Sequence, residues 1–313
     1  MPVRSRPAAD LLLVAVAAVW GASFLAAKDL SAVVGVPSAI ALRFLVAALA
    51  CGGLCLLRRE RLPRGRGLAV ALLLGCSQAA VIGLETWGVH LTSATNAGLL
   101  ISLALVFTPV LEGLASRAWL PPAFFVAATG ALAGVALLVS DGGFRTPNAG
   151  DLLVVAAAVV RAAHVTASAR LTRGRADGVL GVVLVQLLVC AATSSVAAGA
   201  ALPAAASRLT AAGWSDVLFL GLLCSVFAFV VQLWAVRRTS AARASILLGT
   251  EPVWALLVGV VIAGEAIGPV GLVGALLVIA AAYVAQGVER RHRTAASGSG
   301  RPSRSSAQAV GIQ

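Results

Sequence analysis

The chain alternates between long apolar runs and short segments that carry most of its charge. A helix needs roughly 20 apolar residues to cross the ~30 Å hydrocarbon core of a bilayer. Runs of about that length occur at 11–28, 38–57, 68–88, 96–115, 120–140, 152–170, 178–199, 214–236, 244–263 and 268–287. The pattern predicts an all-α polytopic membrane protein of ten transmembrane helices joined by short loops. The run 38–57 is interrupted by Arg43, and the last two runs are separated only by Gly264-Glu265-Ala266-Ile267, which predicts a tight hairpin. A β-barrel is disfavoured, because its strands would read as alternating segments of ~10 residues rather than unbroken apolar runs.

Composition agrees with the pattern. Of 313 residues, 60% are hydrophobic and 12% charged, against ~25% charged in soluble domains, and the mean hydropathy is +0.97. The net charge of +12 would suggest a nucleic-acid partner if it were clustered on one face. It is distributed along the chain instead. With a cytoplasmic N-terminus, 19 of the 24 basic residues fall on the inside, in groups such as Arg58 to Arg66 and Arg290 to Arg304. Lys28, Arg145 and Arg208 fall outside, and Arg43 and Arg161 lie within spans. This positive-inside bias predicts that both termini are cytoplasmic. The charge is therefore read as a topology signal, with no nucleic-acid partner. The bilayer is the expected surroundings, and the preference for Arg over Lys in an Ala-rich chain suggests a bacterial plasma (inner) membrane. The run from Leu11 to Ala27 is longer than a signal-peptide core and reads as an uncleaved first span.

The chain also repeats itself. A shift of 141 aligns Asp10-Leu-Leu-Leu-Val with Asp151-Leu-Leu-Val-Val. Further on, Thr108-Pro109-Val110 matches Glu251-Pro252-Val253, and Gly130-Ala131-Leu132 matches Gly274-Ala275-Leu276. The predicted organisation is a cytoplasmic N-terminus at 1–10, a first five-helix repeat at 11–140 and an extracytoplasmic linker at 141–150. A second five-helix repeat follows at 151–287, then a disordered basic cytoplasmic tail at 288–313. Five spans is an odd number, so the two copies enter the membrane from opposite sides, an inverted-repeat design used by transporters.

These residues resemble the EamA-like branch of the drug/metabolite transporter superfamily over about residues 10–287. The marks are Trp20-Gly21-Ala22-Ser23-Phe24, Ala41-Leu42-Arg43-Phe44, Gly150-Asp151-Leu152-Leu153, Glu251-Pro252-Val253 and Gly264-Glu265, with Gly271 and Gly274 beyond. The resemblance implies ten helices, a central cavity between the halves, and export or exchange of small metabolites. The chain departs from the family pattern at Arg161, where an aromatic residue is usual, so a relative's substrate does not carry over from the resemblance.

Within the spans, the ionisable groups are the first candidates for function, because charge at mid-membrane normally faces a cavity or a partner. Arg161 lies near mid-depth, and His164 shares its helix face. Arg161 either binds a substrate carboxylate or phosphate, with His164 as a proton-sensitive neighbour, or forms a structural ion pair, with Glu251 as one partner. Glu251 precedes Pro252, whose missing N–H frees a carbonyl one turn back. Pro109 is its counterpart in the first half, so both halves are expected to kink at matching depth. Trp20, Phe24 and Gln78 are placed as walls of a substrate cavity, whereas Gln186 and Gln232 are read as interhelical hydrogen-bonding groups. Arg43 is read as snorkelling to the outer interface. Glu85 either pairs with Arg43 or forms an outer gate. Gly130-Ala-Leu-Ala-Gly134 permits close helix packing, which extends to a homodimer face.

The expected function is therefore secondary transport by alternating access. The substrate would be a small metabolite, amino-acid-like or amphipathic, exported with proton coupling as a lesser expectation. No Walker, Ser/His/Asp or HExxH pattern is present, and the five cysteines form no CxxC pair, so no cofactor or metal is predicted. The alternatives are a membrane sensor or assembly subunit without flux and, further from the pattern, an intramembrane enzyme.

Overall fold

The computed structural model describes residues 6–92, 94–117, 119–140, 148–254, 257–258 and 268–298. The expected hairpin at 264–267, most of the linker 141–150 and the far tail lie outside the described residues. Regular structure among the described residues is helical throughout. The first repeat contains α1 (Arg6–Val34), α2 (Val36–Leu57), α3 (Arg66–Leu91), α4 (Ala94–Ile101), α5 (Ala104–Ser116) and α6 (Pro122–Ser140). The second contains α7 (Ala149–Thr172), α8 (Val179–Ala198), α9 (Ala201–Ser207), α10 (Ala211–Leu218), α11 (Ala228–Arg238), α12 (Ala241–Leu248) and α13 (Pro269–Gly298). A π-helical stretch, Phe219–Phe227, joins α10 to α11 without a break.

Seven of these helical stretches are long and apolar enough to cross a membrane: Ala8–Val34, Val36–Leu57, Arg66–Leu91, Ala149–Thr172, Val179–Ala198, Ala211–Arg238 and Pro269–Glu289. Leu49, Val126, Leu152 and Val196 are each more than two-thirds exposed, an apolar exterior suited to lipid rather than water. Two expected spans are discontinuous. The run 96–115 divides into α4 and α5 at Ser102-Leu103, and the run 244–263 is interrupted at Gly249-Thr250, immediately before Glu251. At both places the backbone tightens to i→i+3 bonds, Leu103 N to Leu100 O and Thr250 N to Leu247 O.

The prolines therefore do not sit where the chain breaks. Pro109 lies inside α5, six residues beyond Leu103. Pro252 follows the second break directly, in the first turn of the resumed helix, where a missing N–H costs no helical bond. Leu103, at the first break, precedes Pro109 by six positions, whereas Thr250, at the second, precedes Pro252 by two. The extra four residues, about one helical turn, set the two breaks at different distances from their prolines.

Local sequence explains the main junctions. α1 and α2 are joined by the single residue Gly35 at φ +77°, a left-handed conformation that glycine adopts without steric cost. Pro37 falls in the first turn of α2. α7 opens on a capping box: Asp151 N donates to Asn148 Oδ1 at 3.1 Å, and Asn148 N donates to Asp151 Oδ2 at 2.8 Å. Thr92 Oγ1 also donates to Asp151 Oδ1 at 2.7 Å, tying the end of α3 to the start of α7.

The two repeats interlock rather than lying side by side. α7 of the second repeat packs along α3 of the first, and α1 of the first packs along the π-helical stretch and α11 of the second. α3 also packs on α8, and like meets like where α2 packs on α8 and α6 on α13. In the second of these, a Cβ placed on Gly134 would lie 2.8 Å from Gly274 O and 2.9 Å from Val278 N. The small-residue face expected to reach a homodimer is thus used within the chain, between α6 and α13.

The C-terminal reading also changes. Where a disordered tail is expected from 288, α13 continues through Gly298. Glu289 is 1% exposed. Its Oε1 accepts from Ser240 Oγ at 2.8 Å, and its Oε2 lies 3.6 Å from Arg243. Arg243 also donates to both Asp10 oxygens, at 2.9 and 2.5 Å. These bonds fasten α1, α12 and α13 at one end of the bundle.

The close approach at Gly134 yields a stability prediction. Gly134→Leu forces α6 from α13, and should cost about 1–3 kcal/mol as an overpacked core does. Gly130→Ala, whose Cβ would meet Ala281 Cβ at 3.8 Å, should be nearly neutral. Thermal unfolding of the two variants in detergent, compared with the parent, checks both.

Candidate functional site

Several charged side chains converge in the middle of the bundle. Arg161 projects from α7 near its midpoint. Its Nη2 donates to Glu85 Oε2 at 2.7 Å, and its Nη1 donates to Glu251 Oε2 at 3.2 Å. Glu85 comes from α3 in the first repeat, and Glu251 from the resumed helix after the second break. The side chains are 13%, 13% and 3% exposed for Arg161, Glu85 and Glu251. The guanidinium carbon also sits 5.0 Å from the Trp20 ring centroid, a cation–π contact that gains strength where water is excluded. Trp20 is fixed in turn by its indole N–H, which donates to Cys224 O at 2.9 Å.

Arg43 lies beside this group and does not snorkel. It is 7% exposed. Its Nε donates to Ser225 Oγ at 2.8 Å and its Nη2 reaches Cys224 O at 3.5 Å. Both acceptors belong to the π-helical stretch, where Ser225 Oγ donates back to Leu220 O at 2.8 Å. A wide π turn is a recurrent feature of functional sites, and here it presents a hydroxyl and a carbonyl to an arginine and a tryptophan. Glu85 is not in ion-pair contact with Arg43, because Arg161 takes it.

His164 is one turn along α7 from Arg161. Its Nδ1 lies 2.8 Å from Ser77 Oγ, and its Nε2 lies 3.4 Å from Ser168 Oγ. Ser77 Oγ donates to Leu74 O at 2.9 Å, so that hydroxyl accepts from Nδ1–H. The other nitrogen lies within hydrogen-bond reach of the Ser168 hydroxyl, so the ring is held at both positions.

Two small cavities meet at Arg161, each of about 20 Å³, room for about one water. The first is lined by Trp20, Arg43, Gln78, Glu85, His164 and Gln232, among others. The second lies at the helix breaks and is lined by Ser102, Thr108, Ser245, Gly249 and Glu251. Among the described residues, Glu251 Oε1 is buried there without a hydrogen-bond partner.

Two copies of one family model, described as the EamA-like transporter family, match residues 7–140 and 148–286. The chain belongs to the EamA-like transporter family. It is thus a multi-pass membrane transporter of the drug/metabolite transporter superfamily, built from two repeats. A relative from Streptantibioticus cattleyicolor is 32% identical over 230 residues, which is 70% of this chain and 73% of the relative. That protein is described as a "Probable terminal-alkyne amino-acid exporter". A solved crystal structure, described no further than as that of a protein, matches at TM-score 0.74 and 22% identity. The match covers 92% of this chain and 99% of the other, and it establishes the fold.

Against this EamA-like frame, the geometry brings together Arg161, Glu251, Glu85, Trp20, Gln78, Arg43 and His164. Phe24 is the exception among the aromatic candidates. It is 4% exposed in an apolar cluster with Val89, Ala97, Ile101 and Val154, one helical turn from Trp20, and lines neither cavity. Pro109 and Pro252 sit near the second cavity through their neighbours Thr108 and Glu251. Gln232, expected only to bridge helices, lines the first cavity. Ser102, Thr108, Ser225 and Ser245 are inconspicuous in the sequence, since a hydroxyl in an apolar run usually bonds its own helix. Ser102 and Thr108 do this as well, to Gly98 O and Ala104 O.

The buried triad yields a second prediction. Arg161→Ala leaves two buried carboxylates uncompensated, and should destabilise by about 3–5 kcal/mol. Adding Glu85→Gln and Glu251→Gln to Arg161→Met should recover most of that loss. Thermal midpoints of the single and triple variants in detergent measure the difference.

Proposed function

We propose that this protein exports a small amino-acid-like zwitterion across the bacterial plasma membrane by alternating access, in exchange for a proton. The observation that carries this reading is Arg161 bridged between Glu85 of one repeat and Glu251 of the other. A bridge of this kind has to change when the repeats separate. Sites for small molecules are clefts of several hundred Å³, whereas the cavities beside Arg161 hold about one water each. This arrangement is accordingly an occluded one, and the ion-pair bridge is its central clasp.

The charges suggest what opens it. Two carboxylates face one guanidinium, so the triad has one more acid than base, and among the described residues Glu251 Oε1 is buried without a hydrogen-bond partner. Buried charge needs a partner. A substrate ammonium group or a proton can each supply it, but not both at once. Mutually exclusive occupancy of one carboxylate produces antiport: a proton enters from the acidic side as the substrate leaves. Arg161 is the cation paired with Glu251 and Glu85, Arg43 lies on the same cavity as Glu85, and His164, held at both nitrogens, serves as scaffold. Trp20 and Gln78 wall the site, and the breaks before Pro109 and Pro252 supply the bending. The relative from Streptantibioticus cattleyicolor, described as an amino-acid exporter, supports an amino-acid substrate and outward transport. The distribution of arginine supports cytoplasmic termini.

Proteoliposomes loaded with labelled amino acids, including terminal-alkyne ones, test the proposal. An acidic exterior should accelerate efflux over symmetric pH. Glu251→Gln should abolish that acceleration and lower flux about tenfold or more, the scale of one hydrogen bond to a charged group. Efflux indifferent to the gradient in both proteins would refute proton exchange. No efflux of any amino acid by folded protein would refute the export reading.

A further inference from the structure

We propose that Arg43, rather than Arg161, is the carboxylate-binding residue of the central site, and that it selects zwitterions over simple amines. The inference rests on the export reading above and assigns the second pole of its substrate. Arg161 is already committed to two carboxylates and an indole ring, so it is an internal counter-ion. A substrate carboxylate approaching it would meet Glu85 and Glu251 first.

Arg43 is in the opposite condition. Among the described residues, no carboxylate lies within ion-pair distance of it. Its bonds go to neutral acceptors, Ser225 Oγ at 2.8 Å and Cys224 O at 3.5 Å, and its remaining amino group, Nη1, has no hydrogen-bond partner among the described residues. Its guanidinium carbon lies 5.2 Å from the Phe44 ring centroid, a weak attraction for a full charge. A buried guanidinium with neutral partners alone is costly, and the cost is recovered when an anion arrives. Arg43 also borders the cavity that contains Glu85, Gln78 and Gln232. The neutral amides can donate to a carboxylate without competing for the arginine. Nη1 of Arg43 and Oε1 of Glu251 are therefore uncommitted atoms of opposite sign among the described residues, on cavities that share Arg161.

Anchoring Arg43 on the π-helical stretch has a further consequence. Ser225 holds Nε and thereby aims the planar fork, so a bidentate carboxylate contact requires arginine itself. A lysine at this position keeps the charge and loses the fork.

The test is a ratio measured on the full-length protein. Affinities of an amino acid and of its decarboxylated amine are taken from ligand-induced thermal stabilisation of purified protein, and their fluxes from proteoliposomes. The parent should prefer the amino acid by at least about tenfold, the worth of a charge-assisted hydrogen bond. Arg43→Gln should reduce that preference to about twofold or less, and Arg43→Lys should restore part of it. If Arg43→Gln is poorly folded, Ser225→Ala, which leaves the arginine in place but unaimed, should lower the preference in the same direction. An unchanged ratio in both variants, or a parent that does not discriminate, overturns the assignment. Preserved binding selectivity without flux would count against the export reading alone.

Discussion

A single buried cation organises the centre of this molecule. Arg161 stands near mid-depth in a bundle whose other contacts are overwhelmingly apolar, and burying it requires compensating charge. The chain supplies Glu85 from one repeat and Glu251 from the other, with the Trp20 face beneath. Removing either the cation or its carboxylates leaves charge with no water to solvate it. The triad therefore fixes the relative positions of α3, α7 and the second broken helix. Under the proposed export cycle it also makes that position conditional, because a substrate carrying its own charge would take the place of a member. The same property that stabilises the closed bundle makes it responsive.

The break before Glu251 allows this. In an unbroken helix, the carboxylate would project from a wall of satisfied backbone. The tightened turn at Gly249-Thr250 instead borders a small cavity to which Ser102, Thr108 and Ser245 bring hydroxyl groups. Irregular backbone at such depth is tolerated where it lines a cavity or is buried in protein. The π-helical stretch Phe219–Phe227 has a related role on the other side of Arg161. It offers Ser225 and the Cys224 carbonyl to Arg43 and Trp20. α2 packs on both α8 and the π-helical stretch, and α6 packs on α13.

Membrane residence and the two-repeat organisation are legible in the sequence because they rest on sums over many residues. Twenty apolar residues in a row exclude most alternatives, and the repeat is carried by Asp10/Asp151, the two proline motifs and Gly130/Gly274 in matching order. Arg161, Glu251 and Glu85 stand out as well, because a charge within an apolar run is conspicuous. Their full partnership does not. Glu85 lies 76 residues from Arg161 and Glu251 lies 90, and no periodicity links positions so far apart. Arg43 reads as snorkelling in the sequence because helical depth along one span says nothing of the neighbouring span. Spacing alone groups Phe24 with Trp20, and the packing of α1 between different neighbours separates them.

The sequence by itself determines the solvent, the class of fold, the repeat and which charges are out of place in lipid. These follow from local transfer energies, which each segment carries independently of the rest. Tertiary structure alone decides which charge meets which, where the expected spans break, that Glu289 closes one end of the bundle, and that the glycine face of α6 is covered by α13. Those outcomes depend on the distance and direction between segments remote in the chain. Electrostatic pairing and close packing fall off within a few ångströms, so they acquire values only once the helices are in place.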